Sequence, residues 1–433
     1  MALRLNSNKD GFAEAFQQFL SIDRDGGANV EGAVRDIVAA VRRDGFDAVA
    51  KFTAQYDRFS IDASSVRASE AEVEAAVKDC DRRDVTALEF AAERIRSYHQ
   101  KQIPSDVMYT DDLGVKLGWR WTPVDAAGLY APGGRAAYPS SVLMNAIPAK
   151  VAGVRRLAMV SPAPDGDMNP LVLAAAKIAG VDEVYRIGGA QSIAALAYGA
   201  GPIAPVDVIV GPGNAYVAEA KRQVFGMVGI DSVAGPSEIL VVSDAGSNPD
   251  WIASDLLSQA EHDPSSQSVL ITDDAAFADA VEAAVAKQLA ESPRRDIASA
   301  AWEKNSAIII VSALAEAADL VNAIAPEHLE LCVEEPAALM GDIRHAGAIF
   351  LGRHTPEAVG DYVAGPDHVL PTSRAARYAS GLSIMDFLKR TSIMECDEAS
   401  IARIGPAAAR LAHAEGLPSH AESVERRLKS VDK

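Results

Sequence analysis

The sequence has little cysteine and a deficit of positive charge. Three cysteines in 433 residues, Cys80, Cys332 and Cys396, are too few and too scattered for a disulfide framework or a zinc ribbon. Lys and Arg total 41 against 60 Asp and Glu, which gives a net charge of −19. This balance argues against nucleic acid or an anionic membrane surface as the main partner. We therefore expect neither nucleic acid nor membrane among the partners.

Long apolar runs, short repeats and low-complexity segments are also absent from the sequence. A membrane-spanning helix needs about 18 or more consecutive apolar residues, and no such stretch occurs. The first residues, MALRLNSNKD, lack the apolar core of a signal peptide, which predicts a cytoplasmic location. The length and the 49% content of hydrophobic residues are typical of a globular protein with two or three domains.

The pattern of apolar residues changes twice along the chain. Residues 28–103 have apolar positions every three or four residues, which predicts helices. From near residue 110, β-branched runs such as RLAMVSP and DVIVGPG alternate with Ala-rich helical segments, which predicts a parallel sheet covered by helices. The alternation starts again at EILVVSD, which indicates a second α/β unit. From about Ser383 the pattern predicts helix, in a tail that packs on its own chain or on a partner's.

Three loops in the first α/β unit are rich in Gly and Pro: GLYAPGGRAAYPS, RIGGAQS and IVGPGNAY. Each follows a predicted strand and opens a predicted helix, a geometry that directs backbone N–H groups at an anion. Three such loops in one unit favour a nucleotide-type ligand, and the alternative is three tight turns that bind nothing. None of the loops matches the G-x-G-x-x-G fingerprint, because Tyr216 stands where its third Gly belongs.

The stretch LLSQAEHDPSSQ places Gln259 and His262 three positions apart at the end of a predicted helix. The helix is expected from about Pro249, because Asn248 is a good cap and Pro is tolerated in the first turn. Residues i and i+3 share one helical face, so an amide oxygen and an imidazole nitrogen converge there. The pair alone is compatible with an ordinary helix end, because a metal site needs three or four ligands.

Further polar residues are candidates for the missing ligands and for proton transfer. NAIAPEHLEL sets Glu327 beside His328, a carboxylate and an imidazole that together cover proton transfer near neutral pH. Asp361 follows a Gly in a predicted loop of GDYVAGPDHVLPT, with His368 close by, and EGLPSHAESV contributes Glu415 and His420. Each of these residues also has an ordinary reading as a turn residue or a solvated helix start. Mixed N and O donors without thiolates fit Zn²⁺ or a harder divalent ion.

Taken together, the motifs resemble the histidinol dehydrogenase family. GLYAPGG, GGAQSIAALAYG, VGPGNAYV, AGPSEIL, LLSQAEH, APEHLEL, GDYVAGPDHVLPT and EGLPSHAESV occur in the order and approximate spacing of that family. The resemblance covers essentially the whole chain. It implies an NAD-dependent oxidoreductase acting on a CH–OH group, with NAD and one Zn²⁺ per subunit as cofactors. The implied reaction is the four-electron oxidation of L-histidinol to L-histidine through L-histidinaldehyde with two NAD⁺, the last steps of histidine biosynthesis.

The resemblance and the pattern together predict the fold class and domain organisation. The fold is expected to be α/β, with two Rossmann-like parallel-sheet domains, an N-terminal helical region and a helical C-terminal tail exchanged in a homodimer. The expected boundaries are 1–107 for the N-terminal helical region, 108–236 for the NAD-binding domain, 237–382 for the domain with metal and catalytic residues, and 383–433 for the tail. The tail would contribute to the partner's active site.

The resemblance also implies roles for particular residues. Proton transfer is assigned to Glu327 and His328. The NAD-contacting positions fall on Tyr130, Gln191 and Asn214, one in each Gly-rich loop, and the zinc ligands on Gln259, His262, Asp361 and, from the other subunit, His420. The substrate-contacting positions are Ser237, Gln259, His262, His328, Asp361, Glu415 and His420.

Two alternative functions would explain part of this pattern. A zinc hydrolase would use the metal with Glu327 as base, but it has no use for three nucleotide-type loops. A non-catalytic nucleotide-binding or assembly protein would leave Glu327 and His328 without a chemical role.

Overall fold

The structure, a computed structural model, describes residues 1–22, 24, 30–133, 138–233 and 235–431. It separates into two compact units. The first unit comprises Met1–Lys101 and Asp125–Asp386, and the second comprises Gln102–Val124 and Phe387–Lys433. The Gly-rich loop after Tyr130 runs through residues 134–137, and the AGPSEIL motif includes residue 234; both lie outside the described residues.

In the described residues the strands are, in chain order, β1 (Leu3–Asn6), β2 (Val107–Thr110), β3 (Lys116–Pro123), β4 (Ala126–Tyr130), β5 (Arg156–Val160), β6 (Glu183–Tyr185), β7 (Val208–Val210), β8 (Gly229–Ile230), β9 (Glu238–Ser243), β10 (Gln267–Thr272), β11 (Ala307–Ile310), β12 (His328–Cys332), β13 (Ala348–Leu351) and β14 (Leu388–Glu395). The helices are α1 (Phe12–Leu20), α2 (Glu31–Asp44), α3 (Phe46–Asp57), α4 (Glu70–Asp79), α5 (Arg82–Gln100), α6 (Pro139–Ala152), α7 (Pro170–Ala179), α8 (Gly189–Tyr198), α9 (Ala215–Val224), α10 (Pro249–Ala260), α11 (Ala275–Glu291), α12 (Arg295–Asn305), α13 (Ala317–Ile324), α14 (Pro336–Met340), α15 (Glu357–Tyr362), α16 (Glu398–Ala414) and α17 (Pro418–Val431). None of these helices combines the length and the apolar character needed to cross a bilayer.

The first unit contains two parallel sheets with the same internal order. One has five strands in the order β6-β5-β4-β7-β8, and the other has six in the order β1-β11-β10-β9-β12-β13. In the five-stranded sheet β4 lies in the middle, with β5 and β6 on one side and β7 and β8 on the other. In the six-stranded sheet β9 takes the place of β4, with β10 and β11 on one side and β12 and β13 on the other, and β1 is added at the edge beyond β11. This is the doubly wound arrangement in which the strand order reverses at a central crevice. The predicted pair of Rossmann-like sheets is confirmed.

The six-stranded sheet is buried on both faces, which explains its continuous apolar runs. Along β9, Leu240 and Val242 pack into one apolar cluster, and Ile239 and Val241 pack into another cluster on the opposite face. Successive side chains of a strand alternate between faces, so a strand covered on both sides has no polar alternation. The runs EILVVS and SVLIT are therefore typical of central parallel strands.

The N-terminal helices α2–α5 form where the apolar spacing predicts them. On α2, Val34, Ile37, Val38 and Val41 are the buried positions, at the spacing of one helical face. The strand β1, which the sequence pattern does not predict, precedes these helices and extends the six-stranded sheet by pairing in parallel with β11. The N-terminal region thus contributes an edge strand as well as helices.

The second unit consists of an antiparallel sheet in the order β14-β3-β2 and the helices α16 and α17. The expectation that the chain is helical from about Ser383 is wrong for β14, which is a strand paired with β3 from Leu388↔Pro123 to Glu395↔Lys116. Most of its side chains are exposed, so burial imposes no alternation of apolar and polar residues, and its pairing with β3 defines it. The tail is helical from Glu398 onward, as predicted.

Candidate active site

A cavity of about 320 Å³ lies in the first unit between its two parallel sheets. The five-stranded sheet contributes the loops after β4 and β7, at the carboxyl ends of its strands, including Asn214. The six-stranded sheet contributes Ser237, Glu327 and His328, which lie just before β9 or at the start of β12. The cavity therefore joins the carboxyl edge of one sheet to the amino edge of the other. The general rule that ligands bind at carboxyl ends of strands applies to the five-stranded sheet alone.

Glu327 and His328 are held at the start of β12 by contacts with Glu238, the first residue of β9. Both side chains are buried. The backbone N–H of Glu238 donates a hydrogen bond to Oε2 of Glu327 at 2.8 Å. The Nδ1 atom of His328 lies 2.9 Å from the Glu238 carbonyl oxygen, which only accepts, so Nδ1 carries the proton of the neutral ring. The Nε2 atom then has a free lone pair, and it has no partner among the described residues.

The electrostatics of this pair follow from burial. Desolvation raises the pKa of Glu327 well above its ordinary value, and the carboxyl groups of Glu238, Glu357 and Asp361 add to the shift. Desolvation also lowers the pKa of His328, although the charge of Asp361 opposes this. A low pKa keeps the imidazole neutral near pH 7, so it is ready to accept a proton.

Gln259 and His262 come together at the end of α10, as their spacing predicts. The helix begins after Asn248, whose side chain accepts a hydrogen bond from the N–H of Asp250 at 2.9 Å. Gln259 lies in the last turn and His262 just beyond it, and Gln259 Nε2 donates to His262 Nδ1 at 3.1 Å. Gln259 is fully buried, and its Oε1 atom has no hydrogen-bond partner among the described residues. A buried amide oxygen without a partner is costly unless a ligand or ion satisfies it.

Asp361 lies in the short helix α15 rather than in the loop that its Gly-rich surroundings predict. One turn earlier on the same helix is Glu357, so both carboxylates face His328. Glu357 Oε1 is 3.6 Å from His328 Nδ1, and Asp361 Oδ1 is 3.7 Å from His328 Nε2. One ligand atom from each of the three residues lies within 4.8 Å of the others, a spacing suited to a cation. The sequence reasoning missed Glu357, although the four-residue spacing of Glu357 and Asp361 was a usable signal.

Burial perturbs both of these carboxyl groups. It raises the pKa of Glu357 to about 8, against a hydrogen bond from Ser258 that favours the charged form. Burial and the neighbouring Glu357 raise the pKa of Asp361 to about 7. Two carboxyl groups that resist ionisation when alone gain charge readily beside a cation, because a cation offsets both the desolvation and the mutual repulsion.

His368, a candidate ligand from its sequence position, has both ring nitrogens occupied. Its Nδ1 atom is 3.0 Å from the backbone oxygen of Asp361, and its Nε2 atom is 3.1 Å from the hydroxyl of Ser141. Desolvation lowers the pKa of His368 to about 4. A neutral ring bridging Asp361 and α6 supports the cavity wall, and neither nitrogen is available to a metal.

The three residues expected to contact NAD lie on the five-stranded sheet side. Asn214 lines the cavity and caps α9, accepting hydrogen bonds from the N–H groups of Tyr216 and Val217. Tyr130 ends β4, and its buried hydroxyl accepts a hydrogen bond from the N–H of Gly189 at 3.3 Å. Gln191 is buried in the first turn of α8, and its Oε1 atom is without a partner in the described part of the chain.

The loop after β7 closely approaches β4, and Gly211 makes this possible. Its φ is +114°, and a Cβ there would lie 2.3 Å from the backbone oxygen of Tyr130. Only glycine fits such a position without displacing the strand. The backbone of this loop is thereby placed beside the helix N-terminus of α9, where N–H groups favour an anionic group such as a phosphate.

Glu415 and His420 belong to the second unit. Glu415 directly follows the end of α16, and His420 lies in the first turn of α17; both are exposed. Their participation in an active site stays a prediction, and so does the exchange of the tail in a dimer.

The fold and the cavity are those of an α/β enzyme: two doubly wound sheets lie beside a cavity lined by His328 and by the carboxyl groups of Glu327 and Asp361. The sequence profile described as histidinol dehydrogenase matches residues 22–428. Histidinol dehydrogenases of Rhodopseudomonas palustris and Rhodospirillum rubrum are 58% and 59% identical over 428 and 429 residues, with 99% of both chains covered in each case. A crystal structure of histidinol dehydrogenase from Elizabethkingia anophelis matches with a TM-score of 0.95 and 32% identity, covering 100% of this chain and 99% of that one.

The chain belongs to the histidinol dehydrogenase family. It is accordingly an NAD-dependent oxidoreductase acting on a CH–OH group. The resemblance drawn from the eight sequence motifs is confirmed.

Proposed function

We propose that this protein oxidises L-histidinol to L-histidine through L-histidinaldehyde and reduces two NAD⁺ in the process. It does so as a zinc-dependent homodimer in the cytoplasm, at the last steps of histidine biosynthesis. The regions 1–107, 108–236, 237–382 and 383–433 are proposed as its N-terminal, NAD-binding, catalytic and tail segments.

One observation carries the proposal: a single cavity is lined by the proton-transfer pair, by metal donors and by a candidate cofactor loop. Glu327 and His328 share it with Gln259, His262 and Asp361, and Asn214 lines it from the other sheet. A hydrolase needs the metal donors and a base, but it does not need a nucleotide-type loop at the same cavity. The arrangement therefore favours a dehydrogenase over a hydrolase.

The donor set fits Zn²⁺. The unpartnered Gln259 Oε1, the His262 ring and the Asp361 carboxylate are the proposed ligands on this chain, and His420 of a second copy is the fourth. His328 and Glu357 lie within the same group of close donors as Asp361. His328 favours the charged form of Asp361 and Glu357 opposes it, so a cation would be needed to offset the repulsion between the two carboxylates. When bound, Zn²⁺ would orient the substrate through its amine and imidazole, which are good metal donors.

The cofactor side fits a dinucleotide held without the G-x-G-x-x-G fingerprint. We assign NAD contacts to Tyr130, Gln191 and Asn214. The close approach of Gly211 to β4 holds this loop at the N-terminus of α9, where an anionic group such as a phosphate is favoured. NAD⁺, when bound, supplies the hydride acceptor for each of the two oxidations. Two molecules must use one site in turn, so weak and exchangeable binding suits this reaction.

His328 and Glu327 divide the proton transfers. His328 Nε2 takes the proton of the alcohol in the first oxidation, which yields the aldehyde and one NADH. Glu327 then takes a proton from water as the water oxygen attacks the aldehyde carbon, and His328 returns its proton to the former carbonyl oxygen, which gives a diol. Neutral again, His328 accepts a hydroxyl proton of this diol in the second oxidation, which yields the acid and the second NADH. Ser237, Gln259, His262, Asp361, Glu415 and His420 are proposed to contact the substrate beside His328. Retaining the aldehyde between steps protects it from amines in solution.

The homodimer is supported by the surface of the second unit. It exposes several large apolar side chains, and a second copy of the chain would cover them: Ile103, Met108, Tyr109, Leu113, Met394, Leu411 and Leu417. Exposed apolar patches are typical of interaction surfaces. We propose that this unit packs on the partner and brings Glu415 and His420 to the partner's cavity.

The test combines metal analysis with a cofactor assay. Purified protein is given L-histidinol and NAD⁺, and NADH is followed by its absorbance while the histidine formed is quantified. We expect two NADH per histidine and about one zinc per chain, with activity lost on chelation and restored by Zn²⁺. Zinc-loaded protein that forms no NADH would overturn the proposal in favour of a zinc hydrolase. Protein with no zinc and no activity would favour the non-catalytic rival.

A further inference from the structure

We propose that Glu238 is a positioning residue that sets the geometry of the Glu327–His328 pair. This inference rests on the proposed function and deepens it. Glu238 lies in the AGPSEIL motif, but the sequence analysis gives this residue no role. Glu238 does not line the cavity, and it acts through the two residues that do.

The backbone of Glu238 contacts both members of the pair. Its N–H donates to Glu327 Oε2 at 2.8 Å, and its carbonyl oxygen accepts from His328 Nδ1 at 2.9 Å. The first contact orients the carboxylate that activates water. The second contact fixes the tautomer of His328 and leaves Nε2 as the basic atom. A shift of β9 at Glu238 would therefore misplace both groups at once.

The carboxylate of Glu238 holds the backbone of the same residue in place through its own hydrogen bonds. Oε2 accepts a hydrogen bond from the N–H of Glu327 at 3.2 Å, so the two residues hold each other reciprocally. Oε1 accepts from the N–H of Ser373 at 3.0 Å and from the guanidinium of Arg24. One buried carboxylate thus joins the strand start at β9, the turn before β12 and the segment at residue 373.

The nature of these contacts favours positioning over simple packing. Glu238 is 2% exposed and Arg24 is the charged partner that offsets its desolvation. Replacing a buried ion pair with apolar residues is often neutral or stabilising, so stability alone gives little reason for a carboxylate here. The two oxygens of the Glu238 carboxylate accept hydrogen bonds from Glu327, Ser373 and Arg24. An apolar side chain cannot accept any of these hydrogen bonds.

The test compares Glu238→Gln with the wild-type enzyme. Glutamine has the same shape, but one of its two terminal atoms becomes a donor, so it cannot accept from Glu327, Ser373 and Arg24 together. We expect kcat to fall by about 10- to 100-fold, the cost of a displacement near 1 Å at reacting groups. The fall should be similar with histidinol and with histidinaldehyde, because both proton-transfer residues depend on Glu238. KM for histidinol and for NAD⁺ should stay within about threefold, because the proposed anchors of both molecules are elsewhere.

Gln267→Met is the matched control. Gln267 is the first residue of β10, pairs with Glu238 in register and is also buried, but its amide donates to the Asn305 carbonyl oxygen at 3.1 Å. We expect this variant to lower the melting temperature while kcat per folded protein is unchanged. A loss of kcat in Gln267→Met equal to that in Glu238→Gln would show that any lost buried contact at this sheet edge has the same effect, and it would overturn the inference.

A second variant covers the case in which Glu238→Gln fails to fold because Arg24 is left with an uncompensated charge. The double variant Arg24→Met with Glu238→Gln removes both charges, and we expect it to fold and to keep the low kcat. Wild-type kcat in the double variant, or in a folded Glu238→Gln, overturns the inference while leaving the proposed function intact. Wild-type protein that is inert toward histidinol overturns the proposed function, and the inference with it.

Discussion

The Nε2 atom of His328 lies 3.7 Å from Oδ1 of Asp361, with the opposite ring nitrogen committed to a backbone carbonyl oxygen. The geometry leaves one basic atom on the ring and directs it toward a carboxylate that carries a proposed metal-ligand role. Proton acceptance at Nε2 would place a positive charge beside Asp361, and that charge would be stabilised by the carboxylate. His328 is therefore suited to accept protons in both oxidations.

His328→Asn and Glu327→Gln should separate the two oxidation steps. We expect His328→Asn to lower kcat for both histidinol and histidinaldehyde by roughly 10²- to 10⁴-fold, the usual contribution of a general base. Glu327→Gln should spare NADH formation from histidinol in the first turnover and mainly slow the oxidation of the aldehyde. Rapid-mixing measurements with each substrate distinguish these effects. Equal losses at both steps in Glu327→Gln would contradict the division of labour.

The loop that carries Asn214 should depend on a buried ion pair beneath it. The ammonium of Lys221 donates to the Gly211 carbonyl oxygen at 3.0 Å and pairs with Asp231, which in turn accepts from the Gly211 N–H at 2.8 Å. In Lys221→Met, Asp231 loses its partner in a site that water does not reach. We expect unfolding free energy to fall by about 3–5 kcal/mol, the usual cost of breaking a buried pair.

The same variant should weaken cofactor binding more than substrate binding. With Gly211 no longer tied on its carbonyl side, KM for NAD⁺ should rise by roughly tenfold, and KM for histidinol should change little. Lys177→Met is the control, because Lys177 lies on helix α7, is about half exposed and pairs with Glu74 at the surface. Equal effects of the two variants on KM for NAD⁺ would argue that the buried pair does not support the loop.

The fold was predictable where periodicity and burial act together. The two doubly wound sheets follow from alternating apolar strands and Ala-rich helices, and α10 ends where Gln259 and His262 were expected. A strand whose side chains are mostly exposed cannot be predicted in this way. The strand β14 is defined by its backbone partner β3, since most of its side chains face solvent and leave no pattern. The edge strand β1 is only four residues long, which is too short for a periodic signal.

The sequence predicted the ligand and proton-transfer residues of the candidate site, but it did not predict the residues that hold them in place. Motif resemblance named Gln259, His262, Asp361, Glu327 and His328, and the structure gathers these five around one cavity. Glu238 lies in the AGPSEIL motif without an assigned role, and Glu357 lies outside the eight motifs. Their relation to His328 arises because distant strands and a short helix meet in space. A linear pattern cannot report that β9 and β12 are neighbours, so contacts across the sheet need the fold.

Subunit mixing should reveal whether His420 serves the partner's cavity. Each of His420→Ala and His262→Ala should be inactive as a homodimer. After subunit exchange, half the dimers are mixed and each has one intact site, so about a quarter of wild-type activity should return in a symmetric two-fold dimer. Mass spectrometry of differently tagged chains confirms that exchange took place. Mixed dimers with no activity would indicate that each tail serves its own chain.

Metal-free protein should lose stability as the pH rises from about 6.5 to 8, and Glu357 should be one of the causes. Burial raises the pKa of Glu357 from 4.5 to about 8, so in this interval the unfolded chain binds fewer protons than the folded one. Stability then falls with rising pH. The lowered pKa values of His262, His328 and His368 act in the opposite direction, but mainly below about pH 6.5, where the unfolded imidazoles are charged.

Glu357→Gln removes this titrating group, so the fall in unfolding free energy between pH 6.5 and 8 should become less steep by up to about 1 kcal/mol per pH unit. Urea unfolding in the presence of a chelator measures the slope, and the exposed Glu14 on α1 provides the control variant Glu14→Gln, which should keep the wild-type slope. Added Zn²⁺ should stabilise the wild-type protein more at pH 8 than at pH 6.5, because binding is favoured once the carboxyl protons are lost. A Glu357→Gln slope equal to that of the wild type would mean that Glu357 is already ionised in the folded protein, and the charge arrangement around His328 would need revision.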